Sequence, residues 1–297
     1  MITFFKETHF DFVGKRNVFF GVSGLLILIT VLSLFFKGIN YGIDFTGGTL
    51  IQLKFKQPVS LAEARQLLSS GGFKSDLQDF PKDNTIIVKV KTTEDGISEK
   101  IQEIFRKGLP DNGFELERAE YVGPTIGRHL KNQAFFAMFW SFVGIIVYVG
   151  FRFKSGIRGV AGVLAIIHDV FITVGLFSVL GREVSITVLA ALLTLAGYSI
   201  NDTIVIFDRM RENRRIHRKE NFYDMINRSV NETLSRTVNT SLTTFFVLLA
   251  LFFLGGEVIN DFSLALLFGV IVGSYSTIFV AAPIVYEWEK RKFSGTK

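Results

Sequence analysis

One aspartate, Asp202, lies inside an apolar run that is long enough to cross a lipid bilayer. The run extends from Ser185 to Phe207, and a crossing needs about 20 residues. An ionised carboxylate at the centre of such a segment costs roughly 2.5–3.5 kcal/mol or more, so it requires a compensating partner. Charged residues kept inside a membrane usually face the protein interior and carry function. Asp202 is therefore the first candidate functional residue.

The composition is typical of a membrane protein. The chain has 297 residues, of which 48% are hydrophobic and 32 are phenylalanine, and its mean hydropathy is +0.36. Since 20% of the residues are nevertheless charged, the charges must be segregated from the apolar runs. The absence of cysteine excludes disulfides, thiolate nucleophiles and cysteine-based metal sites.

Six stretches are predicted to span the membrane. They are Val18–Phe36, Ala134–Phe151, Ile157–Leu180, Ser185–Phe207, Leu242–Phe253 and Phe262–Tyr286. The fifth is short, so we expect its helix to begin near Arg236 and to carry polar residues into the membrane on a protein-facing side.

This polar lead-in contains Arg236, Asn239, Thr240 and Thr243. Their spacing of i, i+3, i+4 and i+7 places them on one face of a helix. We therefore expect this face to offer Asp202 a partner within the bundle.

Three further polar residues lie inside the predicted spans. Asp169 follows His168 in the third span, and histidine titrates near neutral pH, so this pair could join a proton relay or simply satisfy a polar contact. Tyr198 precedes Asp202 by one helical turn and could belong to a water or proton path, or to a seam of hydrogen bonds between helices.

Polar residues separate the first span from the other five. We predict an N-terminus with the first helix (1–36), an extracytoplasmic domain (37–132), a five-helix bundle (133–288) and a tail (289–297). Lysine and arginine flank alternate ends of the spans, as in the basic segment 209–219 and in Lys290–Lys292. This asymmetry places both termini in the cytoplasm and explains the basic segment without nucleic-acid binding.

The outer domain has the pattern β-α-β-β-α-β. Alternating apolar residues predict strands at Thr49–Phe55, Gly72–Phe80, Thr85–Val90 and Phe114–Val122, and helical spacing predicts helices after Ser60 and over Ser98–Lys107. Ser60 and Glu63 form a capping box. The order indicates a ferredoxin-like α+β domain, so the fold class is a polytopic α-helical membrane protein that carries this domain between helices 1 and 2.

Two glycine-rich elements bracket the outer domain. Gly47 and Gly48 lie in the first, and Gly123 and Pro124 lie in the second. Glycine permits a pivot whereas proline fixes one backbone angle, so the four residues are hinge candidates. Ordinary turn chemistry is the alternative explanation.

The sequence gives no sign of an enzyme. It has no G-x-x-x-x-G-K-[ST] nucleotide motif, and its 4 histidines are too scattered for metal-ligand spacing. We expect no catalytic residues, no metal and no cofactor.

Four motifs together resemble the SecF family, the smaller subunits of the bacterial SecD–SecF protein-export complex, which are related to the resistance-nodulation-division transporters. The motifs are GIDFTGGT at 42–49, VGPTIG at 122–127, GYSINDTIVIFDR at 197–209 and RTVNTS at 236–241. The resemblance covers nearly the whole chain.

The resemblance implies a proton-driven mechanism in the bacterial inner membrane. Outer domains of such complexes grip an emerging polypeptide while proton flow powers a conformational cycle at late steps of export. The matched motifs assign Asp202 and Arg236 to the proton path, with Asn239 and Thr240 in the same stretch. The implied partners are SecD as a separate chain, the SecYEG translocon, the translocating preprotein and protons, with YajC and YidC as further candidates.

Two other classes of function are compatible with the same residues. A proton-coupled exporter of small molecules or lipids would use similar carboxylates, although such exporters usually have much larger outer domains. A structural scaffold of the translocon would tolerate neutralisation of Asp202 if packing were kept, whereas a proton-driven machine would not.

Overall fold

The structure is a computed structural model that describes residues 8–92, 94, 96–153, 156–256 and 258–294. Parts of the two predicted terminal segments, 1–7 and 295–297, lie outside the described residues. The helices are α1 (Arg16–Phe36), α2 (Ile43–Thr46), α3 (Leu61–Ser70), α4 (Ile97–Gly108), α5 (Pro124–Phe153), α6 (Gly156–Leu180), α7 (Ile186–Ile216), α8 (Phe222–Leu254), α9 (Asn260–Ser276) and α10 (Ala282–Ser294). The strands are β1 (Asn40–Tyr41), β2 (Gly48–Phe55), β3 (Ser75–Phe80), β4 (Thr85–Val90), β5 (Phe114–Val122) and β6 (Glu183–Val184).

Within the described ranges, six helical segments are long and apolar enough to cross a membrane, which confirms the predicted number. They are α1, α5, α6, α7, α8 and a continuous last segment in which the π-helical stretch Thr277–Ala281 joins α9 to α10. The chain is a multi-pass membrane protein.

Several of these helices extend beyond their predicted ends, and α5, for example, begins at Pro124 rather than at Ala134. Helix α7 continues past Phe207 to Ile216, and α8 begins at Phe222 rather than near Arg236. The start of α8 is capped by Asn221, whose side chain accepts a hydrogen bond of 2.8 Å from the backbone N–H of Asp224. The prediction for the fifth helix was wrong because hydropathy marks the part inside the membrane, whereas caps set the ends.

The six spanning segments, with α5 from Met138 onward, lie in one compact unit, which comprises residues 1–40, 138–183 and 187–297. In α6, α7 and the last helical segment, 50–61% of the most apolar window is buried, but in α1, α5 and α8 this share is only 6–11%. The first three elements therefore form the interior of the unit, while the other three expose large apolar faces that lipid or a partner chain must cover.

The second unit comprises residues 41–137 and 184–186. Its four-stranded antiparallel sheet has the order β3-β4-β2-β5. Buried side chains of the central strand β2, such as Ile51 and Leu53, belong to one core with Leu68 of α3 and Phe105 of α4. The element order β-α-β-β-α-β is confirmed, and the ferredoxin-like classification stays a prediction.

The two glycine-rich elements of this unit contact each other. Gly47 has φ +75°, and a Cβ atom there would lie 3.0 Å from the Cα of Pro124. A Cβ on Gly127 would lie only 2.9 Å from the backbone nitrogen of Gly47. Close backbone approach therefore requires glycine at these positions. Pro124 begins α5, where its missing N–H costs nothing. The hinge role of Gly47, Gly48, Gly123 and Pro124 stays a prediction.

Replacing Gly127 by alanine tests this close approach. We expect Gly127→Ala to lower the free energy of unfolding by roughly 1–3 kcal/mol because its methyl group meets backbone atoms that cannot rotate away. Gly144→Ala, on the same helix, is the matched control, since no atom lies within 4 Å of a Cβ there. Thermal unfolding of the full chain in detergent measures both. Equal midpoints for the two variants would show that the glycine contact carries no constraint.

Candidate functional site

Asp202 lies in the interior of the helical unit, on α7. Only 4% of its surface is exposed, and its Oδ2 atom is buried without a hydrogen-bond partner among the described residues. A buried oxygen in this condition costs roughly 1–3 kcal/mol, or more if it carries charge. This carboxyl group is therefore in a state that protonation, water or movement of a charged partner would stabilise.

Arg236, the predicted partner, lies on α8 with an exposed side chain. Its positive charge acts on the Asp202 carboxyl group, but among the described side chains no ion pair joins the two residues. The chain by itself therefore holds Asp202 and Arg236 within electrostatic reach of each other and not in direct contact.

The rest of the predicted stripe on α8 has two kinds of environment. Thr240 donates its hydroxyl proton towards the carbonyl oxygens of Arg236 and Thr237, at 3.0 Å each. Such bonds to the preceding turn satisfy a hydroxyl group locally. By contrast, the Oδ1 atom of Asn239 is buried and has no partner within the described part of the chain, and the same holds for the Oγ1 atom of Thr237, which was not predicted. Asp202, Asn239 and Thr237 thus each keep an unused acceptor oxygen.

Asp169 on α6 is surrounded by donors, in contrast to Asp202. It is completely buried, and its Oδ2 atom accepts hydrogen bonds from Ser199 of α7 at 2.6 Å and Ser276 of α9 at 2.7 Å. Its Oδ1 atom lies 2.9 Å from Nδ1 of His168. Asp169 therefore joins three spanning helices at one carboxyl group.

A chain of hydrogen bonds continues from His168 through Ser23 to Tyr275 and favours one tautomer of the histidine. Tyr275 donates its only hydroxyl proton to the carbonyl oxygen of Phe19, at 2.7 Å. The 3.0 Å contact between Tyr275 and Ser23 then uses the Ser23 proton. The 3.2 Å contact between Ser23 and Nε2 of His168 therefore requires a proton on Nε2.

With Nε2 protonated, one further proton satisfies the contact between His168 and Asp169. That proton resides either on Nδ1 of His168 or on Oδ1 of Asp169, and the pair is neutral overall in both cases. Neutrality is the form that burial favours. The geometry is therefore compatible with one proton shared between His168 and Asp169.

The Asp169 site on α6 contacts α7 one helical turn from Asp202. Ser199, which donates to Asp169, precedes Asp202 by three positions and therefore lies on the same side of the helix. A separate seam begins at Tyr198, whose hydroxyl donates to Ser241 at 3.5 Å, and continues from Ser241 to Ser274 at 2.6 Å. The structure therefore connects Tyr198 to α8 and α9 rather than to Asp202.

The partners of Asp169 were not predicted from the sequence. Ser23, Ser199, Tyr275 and Ser276 belong to four different stretches of the chain, and no single-helix pattern connects them. The sequence signal that could have indicated this contact is Gly273, because small residues mark close helix packing. A Cβ on Gly273 would lie 3.3 Å from the Cβ of Ser199. Over the described ranges, no group of three or more potential ligands has metal-binding geometry.

Two buried serines allow a direct test of the Asp169 site. Ser199→Ala removes a donor from the carboxyl group, so we expect the free energy of unfolding to fall by about 1 kcal/mol. Ser263→Ala is the matched control, because the Ser263 hydroxyl is equally buried and has no hydrogen-bond partner among the described residues. Thermal unfolding in detergent distinguishes them. If the control is as destabilising as Ser199→Ala, the hydrogen bond from Ser199 does not stabilise the site.

Comparison with known proteins connects this site to a family. The family of the protein export membrane protein SecD/SecF, C-terminal, matches residues 101–291, and the SecD/SecF GG motif matches residues 32–59. The second match contains the glycine-rich element around Gly47 and Gly48.

Similar proteins cover nearly all of the chain. The protein translocase subunit SecF of Endomicrobium trichonymphae is 44% identical over 290 residues, which are 96% of this chain and 93% of that protein. The corresponding subunit of Pseudomonas aeruginosa is 41% identical, over 91% of this chain and 89% of its own length.

A solved structure agrees with these matches. The crystal structure of SecDF, a translocon-associated membrane protein from Thermus thermophilus, has a TM-score of 0.87 and 39% identity over 96% of this chain. This chain spans 39% of the length of that SecDF protein. The chain therefore belongs to the SecF proteins of the SecD/SecF protein-export family.

Proposed function

We propose that this chain, together with a SecD partner, uses the proton-motive force to promote late steps of protein export across the bacterial inner membrane. A role in Sec protein export follows from family membership. The use of a proton gradient is the additional step, and it rests on the buried, unpartnered oxygen of Asp202.

In the proposed cycle, Asp202 alternates between two states. When Arg236 is distant, the buried carboxyl group favours its protonated form because desolvation penalises charge. When α8 moves so that Arg236 contacts Asp202, the ion pair favours proton release. A proton taken up from one side of the membrane and released to the other then drives the movement of α8. Asn239 and Thr240 are proposed to line this path.

The contact between His168 and Asp169 supports a second proposed proton site. Asp169 contacts α7 one turn from Asp202 and also contacts α9, so a change in its protonation would alter the contacts between these two helices. Tyr198 is proposed as a position where α7, α8 and α9 move together, since its hydrogen bond leads to Ser241 and Ser274.

The exposed faces of the helical unit support a SecD partner. Arg236 is exposed on α8, and an arginine exposed to lipid would be expensive. A second helical bundle on this face would cover Arg236 and supply further polar groups. The SecDF protein from Thermus thermophilus is a single chain more than twice as long as this one, so its remaining part is a model for such a bundle. The SecYEG translocon, the preprotein, YajC and YidC are further proposed partners.

The arrangement of basic residues supports the orientation. Arg152 and Asp208 form an ion pair, and Arg209 pairs with Glu212 and Glu232. These side chains lie on the same end of the bundle as the basic segment 209–219. The positive-inside rule places that end, and both termini, in the cytoplasm. The second unit is then proposed to lie outside the cytoplasm.

Neutral variants of the two charged residues test the proposed function. In the complex with its SecD partner, reconstituted with the translocon, Asp202→Asn and Arg236→Met should reduce export to the level measured without a proton gradient. The amide keeps the shape of Asp202 but cannot ionise, and methionine keeps the length of Arg236 without its charge.

The control is Asp208→Asn. Asp208 lies on α7, as Asp202 does, but its carboxylate forms an ion pair with Arg152 at the polar end of the bundle. Such pairs contribute about 0–1 kcal/mol, so gradient-dependent export should persist. Each variant must assemble normally with SecD. Full gradient-dependent export by assembled Asp202→Asn would eliminate the proton mechanism and favour a structural scaffold.

A further inference from the structure

The chain segment before α1 is tied to the side of α8. This N-terminal strap, Phe10–Gly14, has no regular helix or strand over its first residues, yet three side chains of α8 bind it. They are Tyr223, Asn227 and Asn231. Their spacing of four residues places them in a row on one face of the helix, which we call the α8 ladder.

The amide groups of the ladder bind the backbone of the strap. Asn231 accepts a hydrogen bond from the N–H of Phe10 and donates one to the carbonyl oxygen of the same residue, both at 2.9 Å. Asn227 accepts from the N–H groups of Phe12 and Val13, both at 3.0 Å. This is the kind of contact that neighbouring strands make, here supplied by side chains.

Asp11 completes the attachment. Its Oδ1 atom accepts hydrogen bonds from Tyr223 at 2.5 Å, from the N–H of Gly14 at 2.8 Å and from Asn227 at 3.0 Å. The hydrogen bond from Tyr223 is the main cause that lowers the pKa of Asp11 below its ordinary value of 3.8. A lowered pKa means that the attachment gains stability above pH 3.8 and loses it only below that value. The strap is therefore insensitive to pH in the cytoplasmic range.

The other side of the strap is anchored to the last helical segment. Phe12 is buried and packs edge-on against Phe279 of the π-helical stretch, with ring centroids 5.6 Å apart. Arg16, at the start of α1, forms an ion pair of 2.5 Å with Glu287 of α10. The strap thus fixes α8 relative to α1 and to the segment that carries Phe279 and Glu287.

The strap binds α8 close to Arg236 along the helix. Asn231 precedes Arg236 by five residues in one continuous helix, which is about 7.5 Å at 1.5 Å per residue. The most apolar window of α8 is only 11% buried, although Ser241, which follows Arg236, contacts Ser274 of α9 at 2.6 Å. The chain therefore holds α8 on both sides of Arg236, and the ladder holds the half in which the helix begins.

We propose that the N-terminal strap is a positioning element that sets the placement of α8, and thereby of Arg236 relative to Asp202. The consequence for export rests on the proposed function, whereas the positioning of α8 does not. Tyr223, Asn227 and Asn231 are the positioning residues, with Asp11 as their common acceptor.

The positioning is tested by a distance measurement that does not depend on export. Because the chain has no cysteine, spin labels can be attached only at Leu180→Cys and Leu254→Cys, at the exposed ends of α6 and α8. In the complex with SecD, Asn231→Leu should broaden or shift the distance distribution. Arg228→Gln is the matched control, because it breaks an ion pair between α8 and Glu220, which precedes the helix, and leaves the ladder residues unchanged. An unchanged distribution in Asn231→Leu overturns the proposal.

The consequence for export is tested by a reversible tether. Asn231→Leu and Asn227→Ala should lower gradient-dependent export, since each lost hydrogen bond shifts a two-state equilibrium by roughly two- to tenfold. Phe10→Cys combined with Asn231→Cys should show the same loss when reduced and regain export when a disulfide forms.

The outcomes separate the two proposals. A shifted distance with gradient-dependent export lost in both Asn231→Leu and Asp202→Asn supports both. Export lost in Asp202→Asn but retained in the ladder variants overturns only the link between the strap and Arg236. A shifted distance with full export in Asp202→Asn overturns the proposed function and leaves the positioning of α8 supported.

Discussion

A carboxyl group inside a membrane bundle must be paired, hydrogen-bonded or protonated, because the surrounding hydrocarbon cannot solvate its charge. This constraint governs both buried aspartates, and the structure meets it in two different ways. Asp169 accepts hydrogen bonds from Ser199 of α7 and Ser276 of α9 and contacts Nδ1 of His168. Asp202 keeps a buried oxygen without a partner among the described residues. A satisfied carboxyl group stabilises one arrangement of helices, whereas an unsatisfied one favours a change.

This difference suggests a division of roles within the bundle. The Asp169 site holds α6, α7 and α9 together, and these are the elements with the most buried spanning windows. Helix α8 carries Arg236, exposes most of its apolar window and is bound near its start by the N-terminal strap. A group of buried helices beside one helix with a largely exposed apolar face is the kind of architecture in which a single proton can shift an equilibrium between two states. In our proposal, the strap sets the position that α8 occupies before it moves.

Much of this architecture could be predicted from the sequence, because long apolar runs and alternating strands are local patterns. The six spans and the four strands of the second unit were identified in this way. The start of α8 at Phe222 was not predicted, since the residues before Arg236 are polar and hydropathy does not mark them as part of the helix. Asp202 and Asp169 stood out as charges in apolar runs. The surroundings of the two aspartates could not be predicted, because donors such as Ser276 are brought to Asp169 only by helix packing. The strap was missed for the same reason: Asp11 and Asn227 are 216 positions apart.

Proton flux measures most directly whether Asp202 carries a proton across the membrane. The complex with SecD would be reconstituted in vesicles that contain a pH-sensitive dye, and proton entry would be followed after an imposed gradient. We predict that flux through the wild-type complex disappears in assembled Asp202→Asn and persists in Asp208→Asn. Equal flux in the wild-type complex and in Asp202→Asn would contradict a proton-carrying role for Asp202.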